Sequence, residues 1–509
     1  MNELSRSFSL LDYTLFVAYL VATLAIGSMF VKGQRTLKEY FLAGRSMGSV
    51  LVAMTVLASL FSGITFLAAP SEGYANGPVF FLVNLGFFIA TPLTALVFIP
   101  VFYQARFFTA YQYLEERFSV QLRILAAASF IVRVLLWLGA ATYAPALALE
   151  QATGLPLWFT IVCTGVVTTI YTTFGGMRAV IWTDVMQLVV LIGGQLAITL
   201  VALDRIPGGF AKVVELGHQG GRLDLSFSLD PTVRVTFWGL VIGAAAMQLV
   251  QMATEQISVQ RYLSASSMKA ARRGLWLKLL LTLPVTALFY GTGLVLYAFY
   301  QLNDDPLAAG TITKADQILP YFVIHELPSG LPGVFLAAIF AASMSTISSG
   351  INSLTSSSLI DFYRRLWRRP ELSEARQLRI ARWLTFIYGA IVIVLAFLVQ
   401  RFGSLLEATN KVIGLIGGPL VGLFLLGILV PRATARGALI GWVSGLAMTL
   451  WTCFCTDVSF LWYALTGCLC TMVVGYSVSL LDPAPARTCR RCLEQPAAPP
   501  DASSGGDVL

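Results

Sequence analysis

Six hydroxyl side chains, Ser343, Ser345, Thr346, Ser348, Ser349 and Ser353, fall within Ala341–Ser353, inside an apolar stretch that begins near Leu331. Hydrocarbon offers such groups no partner, so each needs one inside the protein. Hydroxyl oxygens are hard ligands, suited to a small cation stripped of part of its water. The competing explanation is packing: small residues let helices approach closely, and Ser and Thr bond back onto their own helix. One or two hydroxyls fit packing, whereas six favour a ligand as well.

Charged residues inside apolar runs are the next candidates. Asp184 follows the turn Phe174-Gly175-Gly176 and sits just inside a run. An intramembrane carboxylate is costly and implies function by default. It either serves an ion or pairs with Arg178 or a loop arginine. Arg133 lies partway into another run. Its guanidinium either faces a cavity, where it would take a carboxylate through two parallel hydrogen bonds, or snorkels to the interface. In the first case the solute is an organic anion. Glu255 and Lys411 are further intramembrane charges, and Glu255 is expected to pair structurally near the inner face. His218 and His325 are the only histidines and are expected in loops, which leaves no basis for a histidine metal centre. No nucleophile–base pair occurs at usable spacing, so an enzyme is not expected. Cys489 and Cys492 form a lone CxxC, and the other five cysteines fall in or at the ends of membrane segments, with no disulfide framework.

These residues need a membrane scaffold to position them. The chain has 509 residues, 57% hydrophobic and 12% charged, against about 25% charged in soluble domains. Its apolar runs reach the ~20 residues that cross a bilayer as a helix. The expected fold is an all-α polytopic membrane protein of thirteen spans, at about 10–31, 48–71, 79–103, 124–149, 155–174, 178–203, 235–257, 275–300, 331–359, 381–400, 405–430, 437–455 and 459–480. The net charge of +8 reflects basic loops rather than nucleic-acid binding. Those loops include Arg261, Lys269, Arg272 and Arg273, and the dense set from Arg364 to Arg382. They follow the odd-numbered spans, which places the N-terminus outside and the C-terminus inside. The first run is too long, and lacks the basic leader, for a cleavable signal peptide. The Pro-, Ala-, Ser- and Gly-rich tail at 482–509 is expected to be disordered. Loops at 204–234 and 301–330 have room for short helices.

Two spans look broken. Span 2 carries Ser59, Ser62, Gly63 and Thr65, and span 7 carries Gly239, Gly243, Gln248, Gln251 and Thr254. Glycine and polar residues at mid-membrane mark discontinuous helices in transporters. The spacing of five spans suggests inverted repeats at 48–203 and 235–430. An extra helix at 1–31 would precede them, and two helices at 437–480 would follow.

Several blocks, in this order, resemble the sodium/solute symporter family over about residues 8–481. They are FLAGRSMG (41–48), PSEGYANG (70–77), YAPALAL (143–149), FGGMRAVIWTDVMQ (174–187), VQRYLSA (259–265), the hydroxyl stretch, and GGPLVGLFLLGILVPRATARGALIG (417–441). PSEGY, YAPALAL and STISSGIN look most like the branch of iodide, multivitamin and monocarboxylate symporters. The resemblance implies a LeuT-type core of inverted repeats. It also implies a sodium ion (Na+) held by carbonyls of Ala58 and Phe61 with Ala342, Ser345 and Thr346. Residues 342, 345 and 346 share one helix face, and neutral oxygens suit a monovalent ion. In some members an aspartate matching Asp184 joins hydroxyls matching Ser345, Ser348 and Ser349 in a second sodium site.

Substrate-lining positions of relatives match Leu60, Ser62, Thr65, Phe80 and Asn84. Thr65 replaces a longer amide found in several members. Tyr143 on span 4 offers a hydroxyl, and Gln248 and Gln251 face the same region if span 7 breaks. A sialic acid transporter of the family uses an arginine on the helix equivalent to that of Arg133, and relatives carry Asp or Asn where Glu255 stands. The implied function is sodium-coupled import of a small organic solute, an anion such as a monocarboxylate or vitamin-like acid. A proton-coupled or neutral-solute symporter and a transporter-like sensor are the alternatives.

Overall fold

Apolar runs this long fold as helices because only a helix satisfies its own backbone in lipid. The computed structural model describes residues 8–366, 373–399 and 405–483, and of these the side chains at 148, 151–153 and 405–414 stand outside the description. The expected tail lies, from residue 484 onward, outside the described residues, as do Cys489 and Cys492 and the side chain of Lys411.

Helix α1 (Leu10–Met29) opens on Ser9, whose hydroxyl accepts from the Asp12 amide. Helices α2 (Ser49–Leu60) and α3 (Gly63–Asn76) form a pair bent by 70°. Then come α4 (Pro78–Gln104), α5 (Val120–Thr153) and α6 (Leu157–Asp204). The second half comprises α7 (Gly239–Thr254), α8 (Gln256–Leu263), α9 (Met268–Leu302), α10 (Leu331–Leu366), α11 (Glu374–Val399), α12 (Leu405–Leu429), α13 (Ala435–Cys455) and α14 (Phe460–Leu481). Among the described residues nine helices are long and apolar enough to span a membrane, and the bent pair α2–α3 makes a tenth. The other expected spans take different forms: α7 and the described part of α12 are shorter apolar helices, and spans 5 and 6 run together in α6.

At 1.5 Å per residue α6 is ~72 Å long, over twice the ~30 Å hydrocarbon core. It is interrupted at Gly176, where φ is 55° and ψ is −156°, a conformation open essentially to glycine alone. A Cβ there would also lie 2.9 Å from Tyr40. Tyr40 donates its hydroxyl to the Thr173 carbonyl, and the Gln34 amide donates to the Gly175 carbonyl, so the segment after α1 holds this break.

Helix α10 lies at the centre. Its apolar window is 94% buried, against 22% for α1 and 28% for α11. It packs against α1, α3, α5, α6 and α11, so its hydroxyls face protein on every side. One end is pinned by Asp12, whose carboxylate accepts from the amides of Gly330 and Gly333. At the other end buried Asp361 pairs with Arg123, which also pairs with Glu115. Burial pushes the Glu115 carboxyl up, but the guanidinium groups of Arg123 and Arg365 outweigh it and hold it below its ordinary range.

The second broken span breaks at Glu255, with φ −81° and ψ 127°, directly after Thr254, the last of the residues expected to mark it, while Gly239 and Gly243 lie in a π-helical turn. The stretch VQRYLSA, expected as the start of a cytoplasmic loop, forms the end of half-helix α8, and Arg261 on it is fully buried. The loops at 204–234 and 301–330 do hold helices, Gly209–Gln219 and Ile318–Glu326, and carry His218 and His325 on them.

Candidate functional site

The break between α2 and α3 begins at Phe61, which is extended (φ −89°, ψ 93°) and frees its carbonyl from the helical ladder. Ser62 restarts the helix by accepting from the Thr65 amide. Gly63 is required here by close approach: a Cβ would lie 2.3 Å from both the Pro145 ring and the Ser343 hydroxyl. Helices α5 and α10 therefore both abut the break.

Hydroxyls of α10 meet the end of α2 at this point. Ser345 Oγ lies 3.2 Å from the Ala58 carbonyl and 3.0 Å from the Ala342 carbonyl. Thr346 Oγ1, one residue on, is buried and has no hydrogen-bond partner. A buried hydroxyl left unsatisfied costs about 1–3 kcal/mol. Two carbonyls, a hydroxyl that bridges them and an orphan hydroxyl form a neutral oxygen set that fits a monovalent cation. The structure thus brings Ser345 to Ala58 and Ala342, with Thr346 one residue on and Phe61 ending the same turn of α2. Ser343 Oγ is a second orphan beside Gly63. It lies three residues before Thr346 on the same helix, so its spacing could have marked it.

Asp184 is fully buried, and its partner is Arg261 at 3.0 Å. Of the expected alternatives, Arg178 instead donates to the Ala43 carbonyl, and the arginine that pairs is one the sequence places in a loop. Thr55 on α2 donates its hydroxyl to the same Asp184 oxygen, and Arg261 donates to Thr55, to the Ile257 carbonyl and to the Ser349 hydroxyl. Asp184 and Ser349 are therefore joined through a guanidinium, not directly. Ser348 and Ser349 both donate to the Ser345 carbonyl. The other Asp184 oxygen, Oδ1, has no partner. This cluster ties α2, α6, α8 and α10 together. Thr55 carries no sequence signal for this role, and Arg261 is legible only as one of several loop arginines.

Arg133 neither reaches the interface nor stands open to a solute. Its Nη2 lies 2.9 Å from Glu255 Oε1, and both side chains are buried. Glu255 is the residue at which the second span breaks, so ion pairs hold α8 just before its first turn and again near its end. Around the first break, the Ser62 and Thr65 hydroxyls are 3.2 Å apart, and Leu60, Thr65 and Tyr143 are half-buried. Phe80 contacts Tyr290 and Phe460. Asn84 is buried and donates to the Phe81 carbonyl. Gln248 is buried with its Oε1 unpartnered, and Gln251 is half-buried. Lys278, fully buried on α9, places Nζ 3.0 Å from the centre of the Phe87 ring. Its presence in the run LWLKLLL is a legible signal, an intramembrane charge, that nothing in the sequence connects to a role.

Known proteins give this geometry a context. The model of the sodium:solute symporter family matches residues 40–445. Sodium-coupled monocarboxylate transporter 1 of Homo sapiens is 38% identical over 451 residues, covering 87% of this chain and 73% of the relative. The sodium-dependent multivitamin transporter of Oryctolagus cuniculus is 39% identical over 459 residues, covering 88% and 71%. The solved substrate-bound outward-open state of a Na+-coupled sialic acid symporter is similar with a TM-score of 0.86 and 31% identity, over 94% of this chain and 99% of that one. Mhp1, a nucleobase-cation-symport-1 family transporter, shares the fold at a TM-score of 0.57 and 16% identity, over 88% and 96%. The chain therefore belongs to the sodium:solute symporter family: it is a multi-pass membrane protein of LeuT type, a transporter and not an enzyme, that couples sodium to the symport of an organic solute.

Proposed function

We propose that the solute is a small organic anion of the monocarboxylate or vitamin-acid kind, imported across the plasma membrane. The observation that carries this reading is the charge balance around the first break. The candidate sodium ligands are all neutral, so a bound ion leaves a full positive charge. The N-terminus of α3 adds the positive end of a helix, with the Gly63 and Ile64 amides lacking helical acceptors. Both nearby arginines are already matched, Arg261 by Asp184 and Arg133 by Glu255. An anionic solute beside Ser62 and Thr65 offsets the surplus, and a neutral one does not. The monocarboxylate and multivitamin transporters among the relatives agree with this chemistry.

In this reading sodium binds Ala58, Phe61, Ala342, Ser345 and Thr346 and draws α2 against α10. The solute is lined by Leu60, Ser62, Thr65, Phe80, Asn84, Tyr143, Gln248 and Gln251. Arg133 shapes that site from behind, through Glu255. A second sodium at Asp184, Ser345, Ser348 and Ser349 requires Arg261 to withdraw from the carboxylate. Within the repeats at 48–203 and 235–430 the bundle rocks against the scaffold to open inward, with the N-terminus outside and the C-terminus inside. The membrane potential then contributes about 2.3 kcal/mol per charge per 100 mV.

Uptake into proteoliposomes under an inward sodium gradient tests this. A radiolabelled short-chain monocarboxylate should accumulate, while its primary amide and its methyl ester should not. Equal accumulation of the amide would overturn the anion assignment.

A further inference from the structure

Helices α12 and α14 pack closely through most of their length. A Cβ on Gly418 would lie 2.4 Å from the Ala464 carbonyl, and one on Gly422 would lie 2.6 Å from the Cys468 carbonyl. They part where α12 ends at Leu429 and the chain turns through Pro431 and Arg432 into α13. The gap is a groove of about 650 Å³ lined by Leu429, Val430, Arg432, Met472, Val473 and Tyr476, within the ~300–1,000 Å³ usual for ligand pockets. Its walls face the bilayer, since Leu429, Val473 and Tyr476 are all exposed.

Arg432 lines the groove, and Arg436 follows four residues on, at the start of α13. Arg432 and Arg436 are both exposed, and neither takes part in an ion pair among the described residues. Arg436 sits in the first turn of α13, the end of a helix where a cation is disfavoured and an anion favoured. The turn itself is fixed from behind. Buried Arg117 donates to the carbonyls of Gly427, Val430, Pro431 and Ala433, and the Ser479 hydroxyl accepts from the Thr434 amide. An exposed guanidinium with no ion pair among the described residues thus lines an apolar, lipid-facing groove, with a second one four residues on.

We infer that this groove binds an anionic glycerophospholipid, with an acyl chain along Leu429, Met472 and Val473 and the phosphate at Arg432 and Arg436. Charge complementarity selects this occupant: a zwitterionic lipid also presents a phosphate, but its own cation cancels that charge and leaves the arginines with no net counter-charge. Basic pockets at the ends of membrane helices take anionic headgroups for the same reason.

Native mass spectrometry of the purified full-length protein tests the site, with phosphatidylglycerol and phosphatidylcholine of identical chains titrated in turn. The first phosphatidylglycerol should bind about thirtyfold tighter than phosphatidylcholine, the ratio expected for two arginines near an anionic headgroup. The Arg432→Gln/Arg436→Gln variant should lose this preference without a change in unfolding temperature. Val473→Trp, which fills the groove, should weaken the first binding of both lipids. Equal binding of the two lipids to the wild type would mean only an unselective lipid-facing groove and would overturn the proposal. So would an unchanged preference in the double variant. Displacement of phosphatidylglycerol by an equal concentration of inorganic phosphate would also overturn it, by identifying a free anion as the occupant.

Discussion

Thr346→Val removes a hydroxyl that is buried and has no hydrogen-bond partner, so its two effects should have opposite signs. Without sodium, the wild type carries an unsatisfied polar group worth about 1–3 kcal/mol, and valine relieves it. The variant should therefore unfold at a higher temperature than the wild type in choline. With sodium, the wild-type hydroxyl gains an ion partner that valine cannot supply. Taking a contact to a charged group as about 1.5–3 kcal/mol, sodium half-saturation should rise by about ten- to 150-fold, since each 1.4 kcal/mol is a factor of ten. The assay is thermal unfolding of the purified chain across a sodium titration, with choline holding ionic strength constant. Stabilisation of the wild type should follow the logarithm of sodium concentration above its dissociation constant. A raised baseline with unchanged sodium dependence would refute the role of Thr346 as a ligand while leaving it unsatisfied. A lowered baseline would refute the premise that the hydroxyl is unpartnered.

Two further outcomes follow from the buried ion pairs. Asp184→Asn leaves Arg261 as an uncompensated buried charge, a loss of about 3–5 kcal/mol. Adding Arg261→Met should restore part of that stability, and a sodium Hill coefficient that falls in Asp184→Asn would mark a second coupled ion. No rescue by the second substitution would show that Thr55, not Arg261, holds the carboxylate. Glu255→Gln and Arg133→Met should each destabilise by a similar ~3–5 kcal/mol, and the double variant by clearly less than their sum. Additive losses in denaturant unfolding would mean that the 2.9 Å contact carries no coupling.

Hydropathy locates the helices because apolar length is a local property. It locates the first break for the same reason: Ser62 and Gly63 adjoin in the sequence, one a cap and the other lacking a Cβ. It marks the second break only loosely, through polar residues from Gly239 to Thr254, because Glu255 itself is neither glycine nor proline and looks like the end of a span. That one boundary misplaces Arg261 by moving it from a buried half-helix to a loop, and with it the partner of Asp184. The run that contains Gly176 shows the reverse difficulty. Two expected spans join there with no loop between them, because a single glycine in a conformation other residues avoid interrupts the helix.

The sequence alone determined the class of protein, the central place of the hydroxyl stretch and the alignment of residues 342, 345 and 346 on one face, since each follows from runs and spacings within a few turns. Only the tertiary structure decided which hydroxyls have partners and which are orphans. It also decided that Asp184 answers Arg261, 77 positions away, and that Arg133 answers Glu255. Such pairings depend on where distant helices cross. Helical periodicity specifies the face a side chain occupies, but not the neighbour that face meets.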